Sequence, residues 1–201
     1  MLERLTRPRI SDWVAPLVLC AVLTLLFAGG NGLTELLRYE RASVLDGQWW
    51  RLVSGHWVHA DARHLAWNVF GILLVWWLFA SEYRLRDWAL VLFGSTASIA
   101  IGFLAFEPGL DWYVGFSGVL HGAMAAGLVA WLRTARDPLT AFVAVLFAAK
   151  LGWEHVHGAL PFTSATLTLP VVHQAHTYGA IGGLLVALLL TRGRRTPAAS
   201  L

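Results

Sequence analysis

Long apolar runs recur along the chain, and they constrain its fold more than any other feature. Six of them follow one another within 201 residues, and only 13% of the residues are charged. An ordinary soluble domain carries about a quarter charged residues. A helix needs about 20 mainly apolar residues to cross the hydrocarbon core of a bilayer, and the runs approach that length. The sequence therefore predicts an all-α membrane protein, a six-helix transmembrane bundle forming one domain over residues 1–201.

The runs also give approximate bounds for the six helices. They are predicted at residues 13–28, 63–80, 88–106, 116–132, 139–157 and 171–191. The first run follows three arginines, as a signal peptide would. We expect it to be retained as a helix, because no clear small-x-small cleavage site follows it.

The arginines predict the orientation of the bundle. Cytoplasmic connections of membrane proteins carry an excess of Lys and Arg. One set of connections holds ten arginines, namely Arg4, Arg7, Arg9, Arg84, Arg86, Arg133, Arg136, Arg192, Arg194 and Arg195. The opposite set holds four, namely Arg38, Arg41, Arg51 and Arg63. This distribution places both termini in the cytoplasm. Basic clusters between apolar runs suit anionic lipid of the bilayer, so the net charge of +3 implies no nucleic-acid partner.

Polar and ionisable side chains are concentrated near one face of the membrane. Such groups are costly inside a bilayer and usually functional. With the predicted orientation, those near the external ends of the helices are His64, Asn68, Ser117, His121, Glu154, His155, His157, His173 and His176. The cytoplasmic halves of the helices are nearly bare of such groups. This distribution predicts a water-accessible polar cavity that opens to the external side, and it disfavours a transporter, which needs polar groups through the full depth.

Two glycine patterns indicate which helices come together. Gly118 and Gly122 form G-x-x-x-G directly after Ser117, and Gly179 and Gly183 repeat the pattern after His176. Small residues four apart let helix backbones approach closely in lipid. If these faces meet, Ser117 and His176 lie opposite each other at similar depth.

A serine hydroxyl beside a histidine indicates nucleophilic catalysis, because the hydroxyl is a weak nucleophile until a base takes its proton. Two histidines compete for the role of base. His176 would act from another helix, whereas His121 is four residues after Ser117 and could reach it along the same helix. The residues alone leave both open. They also leave open whether the serine and the histidines serve only helix packing.

Four segments resemble the rhomboid family of intramembrane serine proteases. "GFSG" (115–118) resembles the rhomboid nucleophile motif G-x-S-G, and "HADARHLAWN" (59–68) resembles H-x-x-x-x-H-x-x-x-N of the second helix. "AHTYGAIGG" (175–183) resembles A-H-x-x-G-x-x-x-G of the last helix, and "WWRL" (49–52) resembles the W-R element of the first external loop. The four segments occur in the family's order and extend over most of the chain.

The resemblance implies a role for each site residue. Ser117 would be the nucleophile and His176 its general base, and His64 and Asn68 would form the oxyanion hole with the backbone N–H of Ser117. Gly115, Gly118 and Gly179 would be the glycines of the motifs. No acidic residue is obvious as a third member, and rhomboids use a dyad.

The sequence departs from the usual rhomboid pattern at His121, where many members carry a tyrosine that packs against the catalytic histidine. His121 is expected to support His176. Together with "KLGWEHVHG" (150–158) and the small size, this resembles the bacterial rhombosortase branch. That branch implies a location in the bacterial inner membrane. Its substrates are membrane-anchored proteins with a C-terminal tag of Gly-Gly, a hydrophobic helix and a basic tail. The alternatives are a general rhomboid protease and a non-catalytic rhomboid-like binder of membrane helices.

The remaining polar residues of the fifth helix allow two interpretations. Lys150 and Glu154 are one turn apart and predict a partly buried ion pair, or Glu154 contacts the catalytic region or the substrate. By family analogy, this helix and the loop from Gly158 to Pro170 would be the gate and cap. A metal site built from His155, His157, His56 and His59 lacks convincing ligand spacing. We therefore expect no metal and no cofactor.

Overall fold

The computed structural model describes residues 13–134, 137–161 and 171–192, and these segments are almost entirely helical. The helices are α1 Val14–Ala28, α2 Gly30–Leu37, α3 Arg41–Leu45, α4 Arg51–Ser54, α5 Ala62–Phe79, α6 Leu85–Phe106, α7 Ser117–Thr134, α8 Pro138–His157 and α9 His173–Arg192. The two-residue strands β1 Tyr39–Glu40 and β2 Trp112–Tyr113 pair antiparallel. The predicted all-α bundle is confirmed. Its six helices are α1 and α5 to α9, and the largest difference in bounds is at α6, which begins at Leu85 instead of residue 88.

Large apolar side chains cover the outside of the bundle. Leu25, Phe93 and Val156 are each more than 70% exposed. A soluble protein rarely leaves so much apolar surface in water, so this surface faces lipid. By length and hydropathy, Ala62–Glu82, Leu85–Phe106 and Pro138–His157 can each cross a membrane. α1 and α2 form a further apolar pair that is bent by 111°.

The central helix α7 faces protein and not lipid. Ten of its residues are buried, and most of them are glycine or alanine. It packs against α5, α6, α8 and α9. Because its neighbours are helices, α7 can carry polar residues such as Ser117 and His121 without exposing them to hydrocarbon.

The tightest contact in the bundle joins α7 to α9 through their glycines. A Cβ atom added at Gly179 would overlap the backbone of Gly118, and one added at Gly183 would overlap the backbone of Gly122. The predicted meeting of the two G-x-x-x-G faces is thus confirmed. It brings the first turns of α7 and α9 side by side.

The segment between α1 and α5 contains structure that the sequence did not predict. It forms α2, α3, α4 and β1, and the buried Arg51 at the start of α4 reaches back to the end of α2. The Arg51 guanidinium donates at 2.8 Å to the backbone carbonyls of both Glu35 and Arg38. The amide of Gly115 donates to the carbonyl of Gly55 at 3.0 Å, so this segment also holds the loop that leads into α7.

The glycine contact predicts the effect of one added methyl group. Gly179→Ala is expected to lower the melting temperature of the detergent-solubilised protein, because forced overpacking costs about 1–3 kcal/mol. The matched control is Gly152→Ala on the exposed side of α8, where an added Cβ meets nothing within 4 Å. It should leave the melting temperature unchanged or raise it slightly. Equal losses in the two variants, measured by thermal unfolding, would contradict the packing described here.

Candidate active site

A cavity of about 780 Å³ lies between α5, α7 and α8 and reaches the start of α9. Apolar side chains such as Leu74, Val143 and Leu146 line one part of it. The other part is lined by seven predicted or considered polar residues, namely His64, Asn68, Ser117, His121, Lys150, Glu154 and His176. His155 and His157 do not line it and lie exposed on α8. The structure therefore collects the predicted site residues in one place.

Ser117 is the first residue of α7, and its hydroxyl contacts the histidine of the neighbouring helix. Ser117 Oγ lies 3.0 Å from Nε2 of His176, and His176 is only 4% exposed. The first backbone N–H groups of a helix have no intrahelical acceptor, so those at the start of α7 need acceptors from outside the helix. A serine hydroxyl, a histidine ring nitrogen and the N–H groups of a helix start thus lie together at one end of α7.

Gly115 shapes the approach to that helix end. Its φ of +117° lies in the left-handed region, and an added Cβ would lie 2.5 Å from Nε2 of His64. The hydroxyl of Tyr113 donates to the Gly115 carbonyl at 2.6 Å. Burial raises the pKa of Tyr113, so the hydroxyl keeps its proton and remains a donor. Gly115 therefore allows the His64 ring to lie directly against the backbone that precedes Ser117.

Asn68 and His64 are held to each other on α5. The Asn68 side-chain amide donates to the His64 carbonyl at 2.9 Å, which leaves its second N–H for another acceptor. Asp61 caps the helix by accepting from the backbone N–H of His64 at 2.8 Å. Both side chains line the cavity that contains Ser117. Polar side chains of α5 therefore face the same cavity as the Ser117 hydroxyl.

His56 and His59 are buried behind this region, not arranged as ligands. The His59 ring packs edge-on against His64, with the ring centroids 5.0 Å apart. Burial lowers the pKa of His59 to about 3 and that of His56 to about 4. Both rings are therefore neutral near pH 7, and they act as packing groups beneath the cavity.

His121 contacts the backbone of Ser117, whereas the Ser117 hydroxyl is hydrogen-bonded to His176. Nδ1 of His121 lies 2.7 Å from the carbonyl oxygen of Ser117. The His121 ring stacks on the His176 ring with centroids 3.9 Å apart and planes inclined by 14°. The sequence left open which histidine contacts the Ser117 hydroxyl. In the structure His176 makes this contact, and His121 packs against the His176 ring.

Glu154 forms the predicted ion pair with Lys150 and also contacts His176, so both interpretations of the sequence hold in part. Its Oε2 lies 2.9 Å from Nδ1 of His176 and 2.6 Å from Nζ of Lys150, and the carboxylate is only 1% exposed. No acidic third member was obvious from the sequence, and the structure places the Glu154 carboxylate beside His176. The one-turn spacing of Lys150 and Glu154 along α8 predicted the ion pair. The contact of Glu154 with His176 on α9 could not be predicted in this way, because it depends on how α8 is rotated in the bundle.

The residues His121, Glu154 and His176 are close enough to share a cation. A zinc ion needs to lie about 2.0–2.1 Å from each histidine nitrogen, in the plane of the ring. The two rings are stacked nearly parallel, so one ion cannot lie in both planes. The Lys150 ammonium lies within hydrogen-bonding reach of all three side chains. The arrangement fits an ammonium group and not a metal ion.

A family model described as a rhomboid domain matches residues 46–193. The chain belongs to the rhomboid family. The family that the four motifs predict is thereby confirmed, and the match includes every residue assigned to the site.

Named relatives agree with this membership. This rhomboid is 28% identical over 194 residues to the rhomboid protease GlpG of two strains of Klebsiella pneumoniae. The alignment covers 91% of this chain and 64% of GlpG, so the chain spans less than two thirds of that relative's length. It is also 26% identical over 152 residues to the rhomboid protein YdcA of Bacillus subtilis, which covers 73% of this chain and 69% of YdcA.

The contact between Gly115 and His64 predicts a change in serine reactivity. Gly115→Ala should slow the labelling of Ser117 by a fluorophosphonate at least tenfold, because the methyl group displaces His64 from the cavity wall. An oxyanion-hole donor contributes about 10²–10³ in rate. The control Gly47→Ala also has a positive φ, but an added Cβ meets nothing within 4 Å. If both variants label at the same rate, His64 does not depend on Gly115 in the proposed way.

Proposed function

We propose that this rhomboid is an intramembrane serine endopeptidase with Ser117 as nucleophile and His176 as general base. The observation that carries the proposal is the 3.0 Å hydrogen bond between Ser117 Oγ and His176 Nε2. It lies at the polar end of a cavity whose remaining wall is largely apolar. A non-catalytic binder of membrane helices has no need of a buried base hydrogen-bonded to a serine.

The proposed reaction follows the chemistry of acyl transfer. Ser117 Oγ attacks the carbonyl carbon of a peptide bond while its proton moves to Nε2 of His176. The carbonyl oxygen becomes an oxyanion, for which the Ser117 N–H, Asn68 and His64 are the donors. The imidazolium then gives its proton to the leaving amine, and a water molecule hydrolyses the acyl-enzyme by the same steps in reverse order.

The substrate class is proposed from the walls of the cavity. α5 and α8 contribute both polar and apolar lining, so a membrane helix entering between them would place its unwound end at Ser117. α8 buries only Thr140 and Glu154, which makes it the loosely packed wall. We propose α8 as the gate for lateral entry and the loop from Gly158 to Pro170 as the cap. Residues 162–170 of that loop lie outside the described residues.

We further propose that the substrates carry the rhombosortase type of tag, with Gly-Gly ahead of a hydrophobic helix and a basic tail. A Gly-Gly pair has low helix propensity and can reach the site in an extended form. His121 and the "KLGWEHVHG" segment are the sequence features that support this branch. The arginine distribution supports a bacterial inner-membrane location with both termini in the cytoplasm and the site facing the periplasm.

A co-expression assay tests the function and its roles. The protein is produced together with a reporter that ends in Gly-Gly, a hydrophobic helix and a basic tail, and the shortened product is measured by immunoblot. Ser117→Ala and His176→Ala should each abolish the product, because either member of a coupled dyad is needed for nearly all of the rate. His121→Ala should only reduce it. Ser95→Ala is the matched serine control, because Ser95 Oγ is bonded to the Val91 carbonyl.

The outcomes separate the competing functions. Cleavage that survives His176→Ala and is lost in His121→Ala would reverse the assignment of the base. Cleavage of a general transmembrane substrate but not of the tagged reporter would support a rhomboid protease and reject the rhombosortase branch. A folded protein that cuts neither reporter and fails to label at Ser117 would support the helix-binding alternative.

A further inference from the structure

We propose that Glu154 is a positioning residue for His176 and that Lys150 is the counter-charge that holds this carboxylate in place. The inference deepens the proposed protease function and rests on it. It extends the serine–histidine dyad to a series of hydrogen bonds that runs from Ser117 through His176 to Glu154. Lys150 and His121 continue this series from Glu154 back to the Ser117 backbone. The interatomic distances and the chemistry of the donors carry it.

The hydrogen-bond pattern assigns the proton on each histidine ring. A carbonyl only accepts, so Nδ1 of His121 must carry a proton for its 2.7 Å contact with the Ser117 carbonyl. Its Nε2 is then unprotonated and accepts from the Lys150 ammonium. A carboxylate also only accepts, so Nδ1 of His176 must carry a proton for its 2.9 Å contact with Glu154.

The assignment leaves the catalytic nitrogen of His176 in the state that a base requires. With the proton on Nδ1, Nε2 has a free lone pair, and it faces Ser117 Oγ at 3.0 Å. The opposite tautomer would put two acceptors, Nδ1 and the Glu154 carboxylate, at 2.9 Å without a proton between them. Glu154 therefore selects the tautomer of His176 that can take the serine proton, as the acid does in a serine-protease triad.

Lys150 explains how an ionised carboxylate can lie at this buried position. A lone carboxylate in a low-dielectric interior is strongly disfavoured unless it is paired and hydrogen-bonded. Lys150 Nζ donates to Glu154 Oε2 at 2.6 Å, and the His176 N–H donates to the same oxygen. The 3.1 Å separation between Lys150 Nζ and His176 Nδ1 follows from this shared acceptor. One carboxylate oxygen thus joins α8 to the base on α9.

Lys150 also connects the pair to the nucleophile's own helix. Its ammonium donates to His121, and His121 donates to the Ser117 carbonyl, so the hydrogen bonds run from the Ser117 backbone back to the Ser117 hydroxyl. Rotation of the His176 ring would break the Glu154 bond, the Ser117 bond and the stack on His121 together. The closed series of hydrogen bonds therefore fixes the ring as well as its tautomer.

The two charges act on the catalytic step in opposite directions. When Ser117 gives its proton to Nε2, His176 becomes an imidazolium that carries protons on both nitrogens. The Glu154 anion stabilises this cation, and the Lys150 cation destabilises it. The groups that face His176 are His121 on α7, Lys150 and Glu154 on α8, His64 on α5, and His173 on the first turn of α9.

The opposite effects give a test that a merely structural role would not pass. The rate constant for fluorophosphonate labelling of Ser117 is measured against pH in detergent for the wild type, Glu154→Gln, Lys150→Met and the double variant. A rate constant, unlike the labelled amount, does not depend on the fraction of folded molecules. Asp46→Asn, an exposed carboxylate-to-amide change in the segment between α1 and α5, is the matched control and should reproduce the wild-type profile.

Glu154→Gln leaves the lysine cation facing His176, so the acid limb of the profile should move to lower pH by about one unit or more. The maximal rate should fall by about 100-fold, because the imidazolium loses its anion. Lys150→Met leaves the carboxylate unopposed, so the acid limb should move to higher pH. The double variant should have an acid limb between those of the single variants, with a rate still below that of the wild type.

The outcomes distinguish failure of the inference from failure of the function. Wild-type protein that shows no labelling at Ser117 would overturn the proposed function, and the inference with it. Labelling that depends on Ser117 and His176, with the same acid limb in all variants, would overturn the inference alone. Limbs that move in the same direction for Glu154→Gln and Lys150→Met would also overturn it, because the two charges would then not oppose each other at His176.

Discussion

The backbone contact between α7 and α9 is the constraint on which the rest of the structure depends. Side chains of ordinary size would hold two helices apart, and only residues without a Cβ allow the approach seen at Gly118 and Gly179. Ser117 directly precedes one of these glycines, and His176 lies three residues before the other. The same helix faces therefore provide the packing and the reactive groups, and the 3.0 Å contact follows from the packing.

A second constraint is the cost of charge at this depth. The single lysine of the chain lies on α8, paired with a carboxylate that is almost completely buried. A buried ion pair does not by itself stabilise a protein, since desolvation offsets the attraction. Here Lys150 also contacts His121, and Glu154 also contacts His176, so the ion pair positions both histidines beside Ser117. α8 otherwise buries little, so these polar contacts form much of its attachment near the site.

The segment between α1 and α5 supplies the third requirement, which is a fixed position for the loop that leads into α7. α2, α3 and α4 are too short to be stable as isolated helices. Arg51 ties α4 to the end of α2, and the β1–β2 pair and the bond from Gly115 to Gly55 connect the segment to the loop before Ser117. Gly115 can then adopt its left-handed conformation and leave room for His64. The segment thereby positions the first turn of α7 relative to α5.

The sequence by itself determined the membrane class, the six long helices, the family and most of the polar residues that line the cavity, although His155 and His157, which it grouped with them, lie outside it. It could do so because apolar length, G-x-x-x-G spacing and short motifs are local along the chain. It also placed Lys150 and Glu154 one turn apart, since that distance is fixed by the helix. Only the tertiary structure decided that the carboxylate meets Nδ1 of His176, that His121 bonds to the Ser117 backbone, and that the segment between α1 and α5 forms helices. Those contacts depend on the rotation and depth of packed helices, which side chains distant in sequence fix together.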